Sequence, residues 1–416
     1  MTFDPEDIKF LEEMTRDVVE ASRVRPGERV GDSPINTTGQ TLIRPGGRGA
    51  YPAMWVRDFS MALDSGYITL DEAAQHLALI RKCQQSGWRQ RKLKSGGIIP
   101  SYAIPDHINF DGAAVFFPGT YSAGDDQGGE PFGVLPPFDD QYEYIHIAHH
   151  LAIHGRHKDI DYKSLRRAFD AVEVNAATGG MVHTTAEKRA VGFGFCDTVF
   201  LTGSLLFPSL LRWRAAREMM RMLPEEGERY NQIAEDIASH LAPVFADPKG
   251  SGWLFAATGV GRQPDVWGTL YALYLQVLSP KDATLARNTI IEAMKAGTIT
   301  LDAAVRHVPT THDFSPTSAW ERTSPGVAHN TYQNGAYWHT ATGWLLNALY
   351  RHDPVMARKQ LNTFVAHLRE HDFRKGDAFG APWECFYRDG KARQNPIYMA
   401  SVAIPLSVVK KIEGLK

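Results

Sequence analysis

The connections between the predicted helices alternate between short and long along the whole chain, and this alternation constrains the fold most. Helical periodicity recurs throughout the sequence, whereas alternating runs of β-branched residues are few. The periodicity predicts twelve helices, at about 6–24, 56–67, 70–86, 138–154, 161–175, 197–222, 224–246, 264–278, 282–298, 336–351, 353–371 and 397–413.

The alternation predicts an all-α ring of six helical hairpins. The connection is short after the second, fourth, sixth, eighth and tenth helices, as antiparallel neighbours require, and long after every odd-numbered helix. All long connections then emerge at one end, where function is expected to concentrate. Even-numbered helices are also the more apolar ones, as at 199–211 and 266–278, which suits an inner ring. We therefore predict an (α/α)6 toroid; the alternative, a plain helical array, would favour a fixed-period repeat, and none is visible.

The length is consistent with one domain only if the fold is of this kind. A chain of 416 residues ordinarily suggests two domains, but a toroid grows by circumference, so we predict a single domain over 1–416. The connection at about 88–137 is long enough to be a lid over the site, a rim insertion or an oligomer contact.

Composition and charge exclude several classes of function. No apolar stretch is long enough for a membrane span, and the N-terminus lacks the layout of a secretory signal, which predicts a cytoplasmic protein. Three cysteines without a CxxC spacing predict reduced thiols. A formal net charge of −2 without a basic cluster argues against nucleic-acid binding. The expected partner is a small or neutral molecule.

Six motifs rich in aromatic residues, carboxylates and glycines lead into the even-numbered helices. They are YPAMWVRDFS (51–60), PPFDDQYEY (136–144), GFGFCDTVF (192–200), RQPDVWGT (262–269), YQNGAYWHTATGW (332–344) and APWECFYRDG (381–390). Flat aromatic faces beside carboxylates and amides suit a sugar, which has an apolar C–H face and a rim of hydroxyls. The predicted sugar-binding side chains include Trp55, Trp267, Tyr337, Trp338, His339 and Trp383, with the four tryptophans as platforms. The alternative is that these aromatic side chains fill the inner end of the ring as core.

The WVRDFS segment resembles the W-x-R-D element of six-hairpin glycosidases, the group that includes glucoamylases and trehalases. The resemblance implies that Arg57 and Asp58 hold hydroxyls of the sugar whose bond is cut. It also places a general acid in the connection before the sixth helix and a general base in the one before the twelfth, where Asp197 and Glu384 stand. The residues immediately around these two carboxylates do not match the motifs of the family.

Inverting glycoside hydrolysis requires one protonated and one ionised carboxyl group on opposite sides of the bond. Asp197 lies among the apolar residues of GFGFCDTVF, which would raise its pKa and suit the acid. Glu384 lies beside Trp383 with Arg388 nearby, which would help to keep it ionised as the base.

Other carboxylates compete for these roles. Asp197 could instead be the N-cap of its helix. Asp139, Asp140 and Glu143 of FDDQYEY enter an inner helix and are rivals for the acid, with Asp140 included among the catalytic candidates, or otherwise bind the sugar. Asp265 is expected to cap a helix or to bind a hydroxyl.

Alternative functions remain open from the sequence. A sugar epimerase, resembling the N-acylglucosamine 2-epimerase group, would use the loop histidines His339 and His107. A uronyl hydrolase or lyase would bind an acidic sugar through the loop arginines Arg48, Arg262 and Arg322. A sugar-binding protein without turnover is a third alternative.

No cofactor and no metal are predicted. His146, His149, His150 and His154 share one helix, but there is no HExxH motif and no obvious third ligand. The glycines of 192–194 are too few for a dinucleotide-binding motif.

Overall fold

The computed structural model describes residues 2–49, 51–87, 89–129, 132–313, 327–388 and 393–415. Within these residues, each of the twelve predicted helices is present, which confirms the prediction. They are α1 (Pro5–Ala21), α2 (Val56–Ala62), α3 (Leu70–Cys83), α4 (Asp140–Ile153), α5 (Tyr162–Asp170), α6 (Leu206–Met222), α7 (Gly227–Phe245), α8 (Val266–Leu275), α9 (Pro280–Lys295), α10 (Thr342–Tyr350), α11 (Pro354–Glu370) and α12 (Ala400–Glu413).

Local sequence signals fix the start of several outer helices. Thr69 and Glu72 form a reciprocal capping box at the start of α3. The Ser279 and Asp353 side chains cap α9 and α11, and each is followed by a proline at the first helical position. The short connections before α3, α9 and α11 therefore each end at a residue that favours a new helix.

The even-numbered helices form a closed inner ring. In chain order each packs on the next, and α12 packs on α2 to complete the circle. Nearly all residues of α2, α8 and α10 are buried, whereas the outer helices bury one face. The ring is thus the (α/α)6 toroid that the connection lengths predict.

Two inner helices begin later than predicted. The sixth begins at Leu206 rather than 197, and the tenth at Thr342 rather than 336. The residues before α6 form a 3-10 turn over Gly194–Cys196 and an extended stretch. Apolar residues in this stretch are buried as densely as in a helix, so hydrophobicity alone could not separate the two. Asp197 consequently does not cap α6.

Among the described residues, short strands occur only within the long connections. They are β1 (Arg23–Val24), β2 (Leu42–Ile43), β3 (Ala53–Trp55), β4 (Arg91–Lys92), β5 (Ile98–Ile99), β6 (His107–Asn109), β7 (Ala114–Val115), β8 (Val174–Asn175), β9 (Met181–Thr184), β10 (Gly203–Ser204), β11 (Thr300–Leu301), β12 (Ala304–Val305), β13 (Trp383–Phe386) and β14 (Arg393–Pro396). Strand β6 pairs with both β3 and β7 in antiparallel register, and β13 pairs with β14. These pairings hold the loops that precede α2 and α12 in place.

The described part of the 88–137 connection is folded against the ring. It has its own small apolar cluster, which includes Ile99 and Phe117, and it contributes strand β6 to the sheet beside Trp55. None of the described helices is long and apolar enough to cross a membrane.

Candidate active site

One pocket, with a volume of about 50 Å³, lies where the long connections meet. Five of the six long connections contribute to its wall, together with the first turn of α2. The lining residues are Tyr51, Trp55, Arg57, Asp58, Asp106, Gly194, Phe195, Asp197, Tyr332, Gln333, Glu384 and Tyr398. The structure therefore brings Asp197 and Glu384 to the same pocket as Arg57 and Asp58.

Asp197 lies directly after the 3-10 turn that precedes α6. Burial raises the pKa of this carboxyl to about 7, and the negative charges of Asp106 and Glu384 add to the effect, while Arg57 opposes it. The loop is held by Gln333, whose Oε1 accepts from the Thr198 backbone N–H at 2.8 Å. A carboxyl with a pKa in this range can hold a proton at neutral pH, as a general acid must.

Glu384 lies on β13 and is surrounded by hydrogen-bond donors. The Tyr332 hydroxyl donates to Glu384 Oε1 at 3.0 Å, Asn395 donates to Oε2, and Tyr51 is a third partner. Burial raises the pKa of Glu384 to about 7, and the three hydrogen bonds limit the rise because they stabilise the carboxylate.

Arg388, the cation expected to keep Glu384 ionised, does not contact Glu384 in the structure. Arg388 donates to the Tyr337 hydroxyl at 3.0 Å and lies at the exposed end of β13. Neutral donors from the connections before α2, α10 and α12 stabilise the carboxylate instead, and these are separated too widely along the chain to be recognised from the local sequence.

Arg57 is buried among four carboxylates. Its guanidinium donates to Asp139 and, at 3.0 Å, to Asp106 Oδ1, and it lies 3.8 Å from Asp140 and 3.9 Å from Asp58. Asp139 also accepts from the Gly194 backbone N–H at 2.8 Å. This ion cluster links α2 to the loop that carries Asp197.

Asp139 and Asp140 support the pocket from behind and do not line it. Both are fully buried. Burial and the charge of Asp139 raise the pKa of Asp140 well above its usual range, and neither of its carboxyl oxygens has a hydrogen-bond partner among the described residues. Sequence reasoning missed Asp106, which lies on the 88–137 connection and becomes a pocket residue only through the pairing of β6 with β3.

Replacing Arg57 by methionine is expected to destabilise the fold strongly. Removal of one partner from a buried charge cluster typically costs about 3–5 kcal/mol because the remaining charges are uncompensated. Urea unfolding of Arg57→Met should reveal this loss, while Arg57→Lys should lose less because the charge remains. Arg16→Met, which changes an exposed arginine paired with Asp17, is the control and should leave stability nearly unchanged. Equal stability of the two methionine variants would contradict the role of the cluster.

Trp55 is the predicted sugar platform that lines the pocket. Its ring stacks on His107 with a centroid distance of 4.5 Å, and Tyr51 packs edge-on at 5.1 Å. Asp58, beside it, accepts from the Tyr398 hydroxyl at 2.6 Å. Burial raises the pKa of Asp58 to about 6.

The other three predicted tryptophan platforms are packed in the core. Trp267 and Trp338 are almost fully buried, and Trp267 stacks on His307 at 3.9 Å beneath the pocket residue Phe195. Trp383 is covered by the Arg393 guanidinium at 4.4 Å from its ring centroid. For these three positions the interpretation as core side chains fits the structure, and contact with a sugar does not.

Four further predicted sugar contacts lie outside the pocket lining. Asp265 caps α8, since its Oδ1 accepts from the Gly268 backbone N–H at 2.8 Å. Glu143 accepts from Ser60 and Arg214 and lines a second cavity further along the inner helices. The remaining two are Tyr337, which pairs through its backbone with Phe386, and His339, which contacts the Asp302 carbonyl.

None of the described residues that the alternative functions require lines the pocket. His107 is buried beneath Trp55, and its Nδ1 is hydrogen-bonded to Asp106 Oδ2 at 2.7 Å. Arg48 donates to the Phe379 carbonyl, and Arg262 lies over the Phe255 ring. Arg322 lies outside the described residues.

Two of the histidines on α4 lie beside a carboxylate that the sequence did not indicate. Glu218 of α6 lies beside His146 and His149 of α4, at a separation along the chain that no local motif covers.

The chain is similar in fold to solved glycosidases. A rhamnosidase from Klebsiella oxytoca with rhamnose bound gives a TM-score of 0.57 at 12% identity over 99% of this chain, which spans 64% of that one. A GH63 mannosylglycerate hydrolase from Thermus thermophilus in complex with glucose gives 0.56 at 12% identity, covering 96% of this chain and 99% of that one. A structure described as a wild-type glycosidase gives 0.54 at 13% identity over 100% of both chains.

The protein thus has the fold of the six-hairpin glycosidases. No protein-family model and no curated protein matches the sequence. At these identities the similarity shows the fold alone.

Proposed function

We propose that this protein is an inverting glycoside hydrolase acting on a neutral sugar, with Asp197 as general acid and Glu384 as general base. The observation that carries the proposal is that these two carboxyl groups, each with a pKa raised to about 7, line one pocket of a glycosidase fold.

In the proposed reaction Asp197 gives its proton to the glycosidic oxygen as the bond from that oxygen to the anomeric carbon breaks. Glu384 takes a proton from a water molecule whose oxygen forms the new bond to the anomeric carbon from the opposite face. The products are the free sugar with inverted configuration and the leaving alcohol. Such a mechanism expects the carboxyl groups to lie roughly 6.5–9.5 Å apart in the substrate complex.

The charges around the pocket favour a neutral substrate. Asp58, Asp106, Asp197 and Glu384 line it, and the one cation among the described lining residues, Arg57, is already paired. A sugar carboxylate would meet an excess of negative charge there.

The same lining disfavours an epimerase. No histidine is among the described residues that form the pocket wall, so the proton shuttle of that alternative has no donor there. Trp55 and the hydroxyls of Tyr51 and Tyr398 supply the mixed apolar and polar surface that a sugar ring requires.

The test is a screen of aryl glycosides and reducing oligosaccharides, with proton NMR recording the anomer that forms first. Release of the inverted anomer supports the proposal. Release of the retained anomer would contradict the inverting mechanism, and interconversion of free sugars without bond cleavage would favour an epimerase.

A narrow bell-shaped dependence of kcat/KM on pH, centred near 7, is expected. As pH falls, Glu384 gains a proton and can no longer activate water; as pH rises, Asp197 loses the proton that the leaving oxygen needs. Because the two carboxyl groups interact, the two apparent pKa values of the profile describe the pair and not Asp197 or Glu384 alone. Full activity at pH 10 on an unactivated glycoside would contradict this assignment.

Turnover is expected to need no metal ion, because Asp197 and Glu384 supply both proton transfers. Dialysis against a chelator should leave kcat unchanged at a temperature well below unfolding. Loss of turnover that one added metal restores would contradict this expectation.

We also propose that the ring acts as one catalytic domain and that the 88–137 segment forms the rim that supplies Asp106.

The three cysteines, Cys83, Cys196 and Cys385, are free thiols, which supports a reducing compartment such as the cytoplasm.

A further inference from the structure

A cluster of two histidines and a glutamate lies deep in the inner ring, away from the pocket. His146 and His149 are on α4, and Glu218 is on α6. His146 follows Asp140 by six residues, so it lies about 9 Å further along the helix axis than the carboxyl group beside Arg57. Ligand-type atoms of the three side chains all lie within 4.8 Å of one another.

We propose that His146, His149 and Glu218 bind one transition-metal ion, and that Zn²⁺ fits their donors best. His146 Nδ1 lies 2.6 Å and His149 Nδ1 lies 3.8 Å from Glu218 Oε1. Donors bound about 2.0–2.1 Å from a tetrahedral ion are separated by roughly 3.3 Å, so small side-chain shifts suffice. Two imidazoles and one carboxylate suit Zn²⁺, Co²⁺ or Ni²⁺, whereas Ca²⁺ and Mg²⁺ require oxygen donors.

Two donor atoms in the cluster have no partner among the described residues. They are His149 Nε2 and Glu218 Oε2, and both are inaccessible to solvent. His149 is 8% exposed and Glu218 is 5% exposed. Because a buried polar atom without a partner is costly, the free Oε2 of Glu218, on the carboxylate that faces both histidines, points to a ligand rather than to ordinary packing.

Asp64 lies near the other ring nitrogen of His146. Its Oδ2 lies 3.8 Å from His146 Nε2, the ring nitrogen opposite the one that faces Glu218. This is an ion-pair distance rather than a hydrogen bond, so a side-chain shift is needed before Asp64 can accept from Nε2–H of a ring that binds an ion through Nδ1.

The Arg214 guanidinium does not occupy the proposed metal position beside Glu218. Arg214 Nε lies 3.7 Å from Glu218 Oε1, but the rest of its guanidinium donates to Glu143 and to the Tyr271 hydroxyl, each at 2.9 Å. Glu143 therefore balances its charge. Glu218 Oε1 shares a proton with His146 Nδ1, and binding of an ion releases that proton.

Two cavities give an ion access to the cluster. One, of about 190 Å³, is lined by His146 and Asp64, and the other, of about 290 Å³, is lined by Glu218. An accessible site is needed if metal is to enter the folded ring.

The test is a titration of chelator-treated protein with Zn²⁺ in competition with a chromophoric indicator, followed by Co²⁺ absorption. We expect one Zn²⁺ per chain, a Co²⁺ visible spectrum of low coordination number, and a thermal midpoint about 2–5 °C higher in excess Zn²⁺. His149→Ala and Glu218→Gln should each lose at least tenfold in Zn²⁺ affinity.

The control is His154→Ala, which removes an exposed histidine at the C-terminal end of α4. This variant should bind Zn²⁺ like the wild type. Glu218→Gln preserves side-chain volume, so it tests the site even if His149→Ala fails to fold. Failure of the wild type to bind Zn²⁺ would overturn the proposal and leave a protonated His146–Glu218 ion pair. Equal affinity of Glu218→Gln and the wild type would overturn it as well.

Discussion

Glu384→Gln is expected to lower turnover by about two to four orders of magnitude while substrate binding survives. The amide has nearly the same shape as the carboxylate and still accepts from the Tyr332 hydroxyl, but it cannot take a proton from water. KM or a directly measured Kd should therefore change little, and kcat should carry the loss. Steady-state kinetics with the substrate found in the screen measure both quantities.

The matched control is Glu370→Gln, which makes the same chemical change on the exposed face of α11. It should leave kcat unchanged. A Glu384→Gln enzyme that keeps wild-type turnover would remove Glu384 from the reaction, and thermal unfolding of both variants separates this result from a loss of fold.

Asp197→Asn is expected to act selectively according to the leaving group. On a natural glycoside, whose leaving alkoxide needs a proton, turnover should fall by about two to four orders of magnitude. On an aryl glycoside with an acidic phenol as leaving group, much of the activity should remain, because departure needs little protonation. The ratio of kcat/KM for the two substrates, compared between variant and wild type, measures the effect.

Unchanged activity of Asp197→Asn on the natural glycoside would move the acid to another carboxyl group. The rivals would be Asp140 and its neighbours Asp139 and Glu143, each of which can be tested by the same pair of substrates. Asp139→Asn also weakens the cluster around Arg57, so its stability must be measured alongside.

The ring could be predicted from the sequence because it depends on periodicity and on connection length, and both are local properties. Helix starts such as Thr69 and Ser279 are marked by capping residues within three or four positions. The start of α6 could not be predicted in this way, because the buried loop around Asp197 is as apolar as a helix but is held by Gln333 from a distant connection.

The candidate site was only partly predictable for the same reason. Arg57 and Asp58 lie in a recognisable segment, whereas Asp106 reaches the pocket only because β6 pairs with β3. Trp267 and Trp338 lie in motifs as aromatic as that of Trp55, and only burial distinguishes a core side chain from a pocket side chain.

The parallel order of the inner helices has an electrostatic consequence. Every long connection leads into an inner helix, so all six begin at the pocket end, and each helix start carries roughly half a positive charge from its aligned peptide dipoles. Asp58, Asp140 and Asp265 lie in or at these first turns, while Arg221 and Lys411 lie in last turns. The peptide backbone thus offsets part of the buried negative charge that Arg57 alone cannot neutralise. This contribution comes from main-chain atoms, so it persists in any side-chain variant that keeps the ring intact.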